Sequence, residues 1–188
     1  MQPLKKIVEA LLFVAEGPVN AEKLLPAFEG EYGPEEINEA LKELKEEYDN
    51  SLDRAFGVRE VAGGYQFRSR PEFGVYAIRL KKKSPARLSR AGLETLAVIA
   101  YRQPVLRAEI EKLRGVDAGG VLRSLMEKDL IRISSRQDNL PGRPMLYATT
   151  ARFLETFDLP SLNDLPTAEE MANPDPEESD FRVNKLFD

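Results

Sequence analysis

Residues 56–68 read Phe-Gly-Val-Arg-Glu-Val-Ala-Gly-Gly-Tyr-Gln-Phe-Arg. Apolar and polar residues alternate on both sides of Ala62-Gly63-Gly64, and this alternation has the two-residue period of a β-strand. Two such runs joined by a short glycine-containing turn predict a β-hairpin, which Pro71 ends. The hairpin is the feature that decides the fold of this part of the chain, because everything around it is predicted to be helical.

The spacing of apolar residues predicts three helices before the hairpin and one after it. Their ranges are about 4–16, 21–29, 35–50 and 72–80. Gly17-Pro18 separates the first two helices, and Gly33-Pro34 opens the third. The first block of the chain is therefore three helices, a two-stranded wing and a short helix.

The same order of elements returns in the second half of the chain. Helices are predicted at about 90–102, 107–113 and 117–128, strands at 130–133 and 145–149, and a last helix at 151–157. Three helices followed by a two-stranded wing is the winged helix-turn-helix arrangement. The sequence thus predicts a mainly α protein with small β-hairpins, of the α+β class, built from two tandem winged-helix domains.

Charge and proline content divide the chain further. The predicted domains are 1–80 and 89–166, joined by a basic linker at 81–88, and residues 167–188 are predicted to be an acidic, disordered tail. The formal net charge of −5 is distributed as −5 in residues 1–80, +7 in 81–157 and −7 in 158–188. The tail also contains Phe181-Arg-Val-Asn-Lys-Leu-Phe187, which could be a short partner-binding segment or only a solvated chain end.

Composition restricts the chemistry that this protein can perform. The 188 residues include no Cys, His or Trp, which excludes thiolate nucleophiles, histidine bases and Cys/His zinc sites. No glycine-rich nucleotide-binding pattern occurs. We therefore predict no enzymatic activity, no catalytic residues, no cofactor and no metal.

The first residues contain two lysines before an apolar run, as signal peptides do. Glu9 interrupts that run, and no segment approaches the ~20 apolar residues of a membrane span. The sequence predicts a cytoplasmic protein.

Winged helices commonly bind DNA through the third helix, and a DNA-binding regulator is the main alternative hypothesis. In the first domain this helix carries a net charge of −5, which a phosphate backbone would repel. In the second domain it begins Asp117-Ala-Gly-Gly120, which offers almost no side chain to read bases, although the surrounding block is basic. Gly119-Gly120 instead predicts close approach of another backbone.

Several longer motifs are specific in combination. Residues 92–116 read Gly-Leu-Glu-Thr-Leu-Ala-Val-Ile-Ala-Tyr-Arg-Gln-Pro-Val-Leu-Arg-Ala-Glu-Ile-Glu-Lys-Leu-Arg-Gly-Val, and residues 141–150 read Pro-Gly-Arg-Pro-Met-Leu-Tyr-Ala-Thr-Thr. Together with Phe153-Leu-Glu-Thr-Phe157 and Ser161-Leu-Asn-Asp-Leu-Pro166, they resemble the bacterial segregation and condensation protein B (ScpB) family. The resemblance covers about residues 4–166.

The resemblance implies a non-enzymatic protein of two winged-helix domains that dimerises through its N-terminal domain. It also implies a kleisin subunit of the ScpA type as partner, which bridges the heads of an SMC ATPase in a condensin-like complex. That complex acts in chromosome condensation and segregation during the cell cycle and cell division. The protein would be located in the cytoplasm, associated with the nucleoid, and would make at most weak, non-specific contact with nucleic acid.

The family motifs also suggest which residues face the kleisin. The residues carried over as partner-binding are Tyr101, Gln103, Arg107, Glu109, Arg114, Val116, Arg143 and Tyr147. The same motifs contain Pro104, Ile110, Gly115 and Pro144, of which Ile110 is expected in the core, Gly115 in a turn and Pro104 at a helix end. Leu106 stands where the family usually has Thr or Ser, which puts a polar cap for the 107–113 helix in doubt.

The homodimer interface is predicted on the apolar faces of residues 4–16 and of the hairpin 56–68. The residues assigned to it are Leu4, Ile7, Leu11, Val58, Val61, Tyr65 and Phe67. The alternative is that these side chains only fill the core of their own domain.

Overall fold

A computed structural model describes residues 3–51, 53–81, 88–167 and 169–170. Its backbone forms two compact units, each with its own contacts. The first consists of Met1–Ser84 together with Asp158–Leu165, and the second of Pro85–Phe157 with Pro166–Asp188. The predictions for most of the linker 81–88 and for nearly all of the tail 167–188 lie outside the described residues.

The first unit contains four α-helices and one hairpin. The helices are α1 (Leu4–Val14), α2 (Ala21–Leu24), α3 (Pro34–Asn50) and α4 (Gly74–Lys81), and the strands are β1 (Phe56–Val61) and β2 (Gly64–Ser69). Short 3-10 helices cover Leu25–Phe28 and Pro71–Phe73. The predicted helix 21–29 therefore changes its winding at Leu25-Pro26, because proline has no N–H for the α-helical ladder.

Hydrogen bonds explain where the first helices begin. The Asn20 side chain accepts a hydrogen bond from the Lys23 N–H at 3.1 Å, which caps α2. The Glu36 carboxylate accepts one from the Gly33 N–H at 2.8 Å at the start of α3. Both caps involve residues that the sequence marks as helix starts, so local chemistry determines these boundaries.

The apolar stripe of α3 forms the centre of the first core. Ile37, Leu41 and Leu44 have at most 1% of their surface exposed. They share a cluster with Val8 and Leu12 of α1 and Val58 of β1. The hairpin pairs in antiparallel register, with Val58 opposite Phe67 and Val61 opposite Gly64. The core of this unit is therefore closed by helix, helix and hairpin together.

Gly64 lies where two backbones meet. Val19 forms an isolated antiparallel bridge with Tyr65, and a Cβ on Gly64 would lie 2.8 Å from the Val19 carbonyl carbon. We therefore expect Gly64→Ala to lower the free energy of unfolding by about 2 kcal/mol or more, since the bridge must open to admit the methyl group. Urea denaturation measures this effect.

Gly57 in β1 provides the matched control for that substitution. It is also buried, but a Cβ there would meet nothing within 4 Å. We expect Gly57→Ala to leave the denaturation midpoint nearly unchanged. Equal destabilisation by both substitutions would contradict the steric explanation.

The segment Asp158–Leu165 packs on the turn of this first hairpin. The backbone N–H groups of Ala62 and Gly63 donate to the carbonyl oxygens of Leu159 and Pro160, both at 2.9 Å. Arg68 forms an ion pair with Asp158 at 3.1 Å, and Leu159 is buried. The sequence places this segment in the 89–166 domain, whereas its contacts assign it to the first unit.

The second unit is helical with one three-stranded sheet. Its helices are α5 (Arg90–Arg102), α6 (Arg107–Arg114), α7 (Gly119–Glu127) and α8 (Ala151–Phe157), and its strands are β3 (Val105–Leu106), β4 (Ile131–Arg136) and β5 (Met145–Thr149). The strand order is β3-β5-β4, and all pairs are antiparallel. A register shift between Ile133 and Ser135 makes β4 irregular.

β3 is the strand that the sequence does not predict. Val105 and Leu106 are too few to show a two-residue period, and they become a strand only because β5 lies beside them. This pairing holds the start of α6 against the second hairpin. The predicted α+β class with small antiparallel sheets is confirmed.

Candidate partner-binding groove

The second unit contains an open groove of about 480 Å³ between the start of α6 and the hairpin β4–β5. Its lining includes the apolar side chains of Leu106, Leu140, Met145 and Tyr147. Three arginines, Arg107, Arg136 and Arg143, also line it. We call this surface the basic groove. It brings together three of the predicted partner-binding residues, Arg107, Arg143 and Tyr147, with Pro144 beside them.

The guanidinium of Arg107 is held at the α6 side of the basic groove. Its Nε lies 2.7 Å from a Glu111 carboxylate oxygen, and its Nη2 lies 2.5 Å from Asp117. A Cβ on Gly119 would lie only 3.0 Å from that Nη2. The prediction that another backbone approaches Gly119-Gly120 is wrong, because the close neighbour of Gly119 is this side chain and a Cβ on Gly120 would meet nothing within 4 Å.

Glu111 connects α6 to the start of α7. Its carboxylate accepts a hydrogen bond from the Ala118 N–H at 3.1 Å and lies beside Arg107. The hydrogen bond from Ala118, followed by the bond from Arg107, lowers the pKa of Glu111 below its ordinary value. Glu111 is therefore charged at neutral pH, and it fixes the orientation of Arg107.

The hairpin side of the basic groove carries the other two arginines. Arg143 pairs with Asp138 at 2.5 Å, and both side chains are about two-thirds exposed. Arg136 donates to the Arg143 carbonyl oxygen at 3.5 Å. Exposed ion pairs contribute little to stability, typically ~0–1 kcal/mol. A ligand carboxylate can therefore replace Asp138 or Asp117 at small cost.

Three other predicted partner-binding residues use their polar atoms inside the unit. The Gln103 side-chain oxygen accepts hydrogen bonds from the backbone N–H and the hydroxyl of Thr149, at 2.7 and 3.0 Å. Glu109 accepts from the Leu106 N–H at 2.9 Å, which starts α6 although Leu106 has no polar side chain. Arg114, whose side chain is 9% exposed, donates to Thr95 at 2.9 Å and to Glu94 at 3.0 Å.

The last two predicted partner-binding residues do not line the basic groove. Tyr101 is half-exposed, and its hydroxyl donates to the Pro166 carbonyl oxygen at 2.6 Å. Val116 is half-exposed after the left-handed Gly115. Ile110 is fully buried, as expected for a core residue. Three of the eight predicted residues therefore line the basic groove, three bond within the unit, and Tyr101 and Val116 lie outside the groove lining.

Gln103 connects the end of α5 to β5, and its loss should destabilise the second unit. We expect Gln103→Ala to lower the free energy of unfolding by about 1–3 kcal/mol, because the buried Thr149 would lose the acceptor for both its N–H and its hydroxyl. Thermal or urea denaturation gives the value. The neighbouring exposed Arg102→Ala is the control and should change stability by less than about 0.5 kcal/mol.

The first unit has a second surface of interest, an open groove of about 420 Å³ between the hairpin β1–β2 and α4. Its lining includes Phe56, Phe67, Phe73, Tyr76 and Leu80, and it is almost entirely apolar. We call it the apolar groove. Leu80 is 83% exposed and Tyr76 is 67% exposed. Val75 and Ile78, both more than half exposed, extend the apolar surface to the other side of α4.

The predicted dimer residues separate into two groups. Val58 and Val61 have no exposed surface, so they fill the core of this unit and offer nothing to a partner. Leu4, Ile7, Leu11 and Tyr65 are partly buried against that same core. Phe67 packs on the core and also lines the apolar groove. The predicted dimer face of α1 is therefore largely occupied, and the exposed apolar residues of this helix are Phe13 and Val14.

Sequence reasoning missed Arg136, Leu140 and Met145 in the basic groove, and Tyr76 and Leu80 in the apolar groove. The spacing of apolar residues predicts the helix 72–80, but only the structure shows that the apolar face with Tyr76 and Leu80 lies uncovered. Among the described residues, no group of three or more acidic side chains is arranged to hold a metal ion. In the same part of the chain, no helix has the length and apolar character to cross a membrane.

Comparison with known proteins identifies relatives across most of the chain. A family model described as segregation and condensation complex subunit ScpB matches residues 6–168. Segregation and condensation protein B of Syntrophotalea carbinolica is 52% identical over 89% of this chain and 83% of its own length. The protein of the same name from Moorella thermoacetica is 46% identical over 90% of this chain and 85% of its own.

Among solved structures, ScpB from Mycobacterium tuberculosis has 34% sequence identity. The alignment covers 81% of this chain and 92% of that one, with a TM-score of 0.37. The sequence matches, rather than this superposition, are what indicate the family.

Proposed function

This chain belongs to the family of the segregation and condensation complex subunit ScpB, and we propose that it works as a non-enzymatic homodimer that binds a kleisin. In this role it is a subunit of a condensin-like SMC–kleisin complex on the bacterial nucleoid. Chromosome segregation and condensation are the processes that its family serves. Both units are proposed to be winged-helix domains, used here for protein contacts.

The observation that carries the kleisin proposal is the basic groove. An apolar floor flanked by three arginines suits a peptide segment that presents apolar side chains together with carboxylates. Guanidinium groups bind carboxylates and carbonyl oxygens through paired N–H donors, which gives such a segment a defined orientation. The family motif 141–150 supplies much of the hairpin side of this groove.

The homodimer proposal rests on the apolar groove, with a second copy of this chain as its occupant. Phe56, Phe73, Tyr76 and Leu80 line this groove and are exposed. Val75 and Ile78, which are also exposed, continue the apolar surface on the other side of α4. The three aromatic residues leave on the order of 300 Å² of exposed apolar surface per copy, since an aromatic side chain carries about 150–250 Å². The three aliphatic residues add to this area. A monomer's largest apolar patch is typically ~300–600 Å², and a stable interface needs ~800 Å² per partner.

Copurification and light scattering test these two proposals together. The full chain should retain the kleisin of the same bacterium on an affinity column, and its mass by light scattering should be twice that of one chain. A monomer that fails to retain the kleisin would overturn the proposed function. The amount of SMC ATPase retained should depend on the kleisin being present.

DNA binding as a regulator is not favoured. Helix α3 carries its excess of carboxylates on an exposed face, and the start of α7 presents Asp117 beside the paired Arg107. A salt titration of binding to duplex DNA measures any electrostatic contact that this protein makes with nucleic acid. Binding should be weak and should disappear between about 50 and 200 mM salt, as expected of purely electrostatic contact.

A further inference from the structure

We propose that the acidic C-terminal segment of this chain, residues 175–187, occupies the basic groove of its own second unit when no partner is bound. The inference concerns the groove of the proposed function, but it holds whether or not a kleisin binds there. It gives a role to a motif that lies outside both of the proposed interaction surfaces.

The composition of the segment matches the lining of the groove. Residues 175–180 contain four carboxylates, and residues 181–187 contain Phe181, Val183, Leu186 and Phe187. The groove offers three arginines beside the apolar side chains of Leu106, Leu140 and Met145. Clusters of arginine are the common means by which proteins recognise acidic peptide segments. The pairing also agrees in net charge, which is −2 for residues 175–187, where Arg182 and Lys185 offset two of the four carboxylates, and +3 for residues 89–157.

The arginines of the groove are available for this exchange. Arg107 and Arg143 pair with Asp117 and Asp138, whose side chains are 73% and 68% exposed. Replacing one exposed carboxylate by another changes the free energy of the ion pair only slightly. The local concentration of the tail carboxylates therefore decides whether they pair with the arginines. Arg136 donates only to a carbonyl oxygen among the contacts of the described residues, which leaves its charge open to a carboxylate.

Chain length allows the segment to reach the groove. The Tyr101 hydroxyl donates to the Pro166 carbonyl oxygen at 2.6 Å, which fixes the position of Pro166 beside Tyr101. Arg107 follows Tyr101 by six residues, so the two lie at most about 20 Å apart. The nine residues from Pro166 to Asp175 would span about 30 Å if fully extended, and the helical backbone at residues 169–170 shortens that reach. Five more residues extend the acidic run to Asp180, so the run as a whole reaches the arginines.

Disulfide trapping tests the inference directly, because the natural chain has no cysteine. The full chain carrying Ser179→Cys with Leu140→Cys places one thiol in the tail and one in the groove. The control carries Ser179→Cys with Leu113→Cys, since Leu113 is about as exposed as Leu140 and lies outside the groove lining. Leu113 lies six residues after Arg107 on α6, about 9 Å along the helix axis, so a tail that reaches Arg107 also reaches Leu113. A difference in crosslinking rate therefore reports docking rather than tethering.

We expect the groove pair to form its disulfide about ten times faster than the control pair in low salt. The rate should fall to the control value when Arg136→Glu is added, or in about 1 M salt, which screens the charges. The product should run as a single chain on a non-reducing gel. Equal rates for the two pairs, or a product of two linked chains, would overturn the inference. Kleisin retention by the unmodified chain is measured separately, so either proposal can fail alone.

Discussion

The double substitution Tyr76→Glu, Leu80→Glu is expected to convert the dimer into a monomer. Both side chains lie in the apolar groove and are more than two-thirds exposed in the isolated unit. Because they contribute little to their own core, the substitutions should not unfold the unit. In a two-fold dimer each change occurs twice, so four carboxylates would enter the interface. Burying even one unpaired charge costs several kcal/mol.

We therefore expect the dimer dissociation constant to rise by at least about a hundredfold, which corresponds to ~2.7 kcal/mol. Sedimentation equilibrium or light scattering over a range of concentrations measures it. The matched control is Phe13→Glu, Val14→Glu on α1, where two apolar side chains are equally exposed outside the groove. If the control dissociates the dimer and the groove variant does not, the interface lies on α1 instead.

The second large effect concerns the basic groove. We expect Leu140→Glu, Arg143→Glu to weaken kleisin binding by about a hundredfold, because the change removes an apolar contact and a guanidinium at once. Central interface residues of this kind often contribute ~2 kcal/mol or more each. Both lie in the exposed turn between β4 and β5, so folding should be unaffected. Isothermal calorimetry with the kleisin gives the dissociation constant, and circular dichroism confirms the fold.

The control for this experiment has the same chemistry elsewhere on the second unit. Leu113→Glu, Arg123→Glu also replaces an exposed leucine and an exposed arginine, and neither residue lines the groove. The dissociation constant of this variant for the kleisin should stay within about threefold of the value for the unmodified chain, since the two residues lie outside the proposed contact surface. A comparable loss in both variants would mean that net charge, and not the groove, governs binding.

The family motifs predict only part of the basic groove. Arg107, Arg143 and Tyr147 are in the family motifs, and they do meet in the basic groove. Gln103, Glu109 and Arg114 stand in the same motifs, but they form hydrogen bonds within the unit, to Thr149, Leu106 and Thr95. A motif records that a residue is needed, and it does not distinguish a residue needed for the fold from one needed by a partner.

What the sequence determined by itself is local. The breaks at Gly17-Pro18 and Gly33-Pro34, the cap at Asn20 and the hairpin around Gly63 follow from the backbone preferences of those residues, which act over a few positions. Composition likewise limited the chemistry, since no spatial arrangement can supply an absent cysteine or histidine. The class of fold and the family follow from these local patterns and motifs.

Only the tertiary structure decided which faces remain uncovered. Val58 and Phe67 are opposite each other in the hairpin, yet the first is fully buried and the second lines the apolar groove. Strand β3 exists because β5 pairs with it, and the basic groove exists because that pairing brings α6 beside the second hairpin. Burial and pairing depend on residues that are distant in sequence, so the local pattern could not determine them.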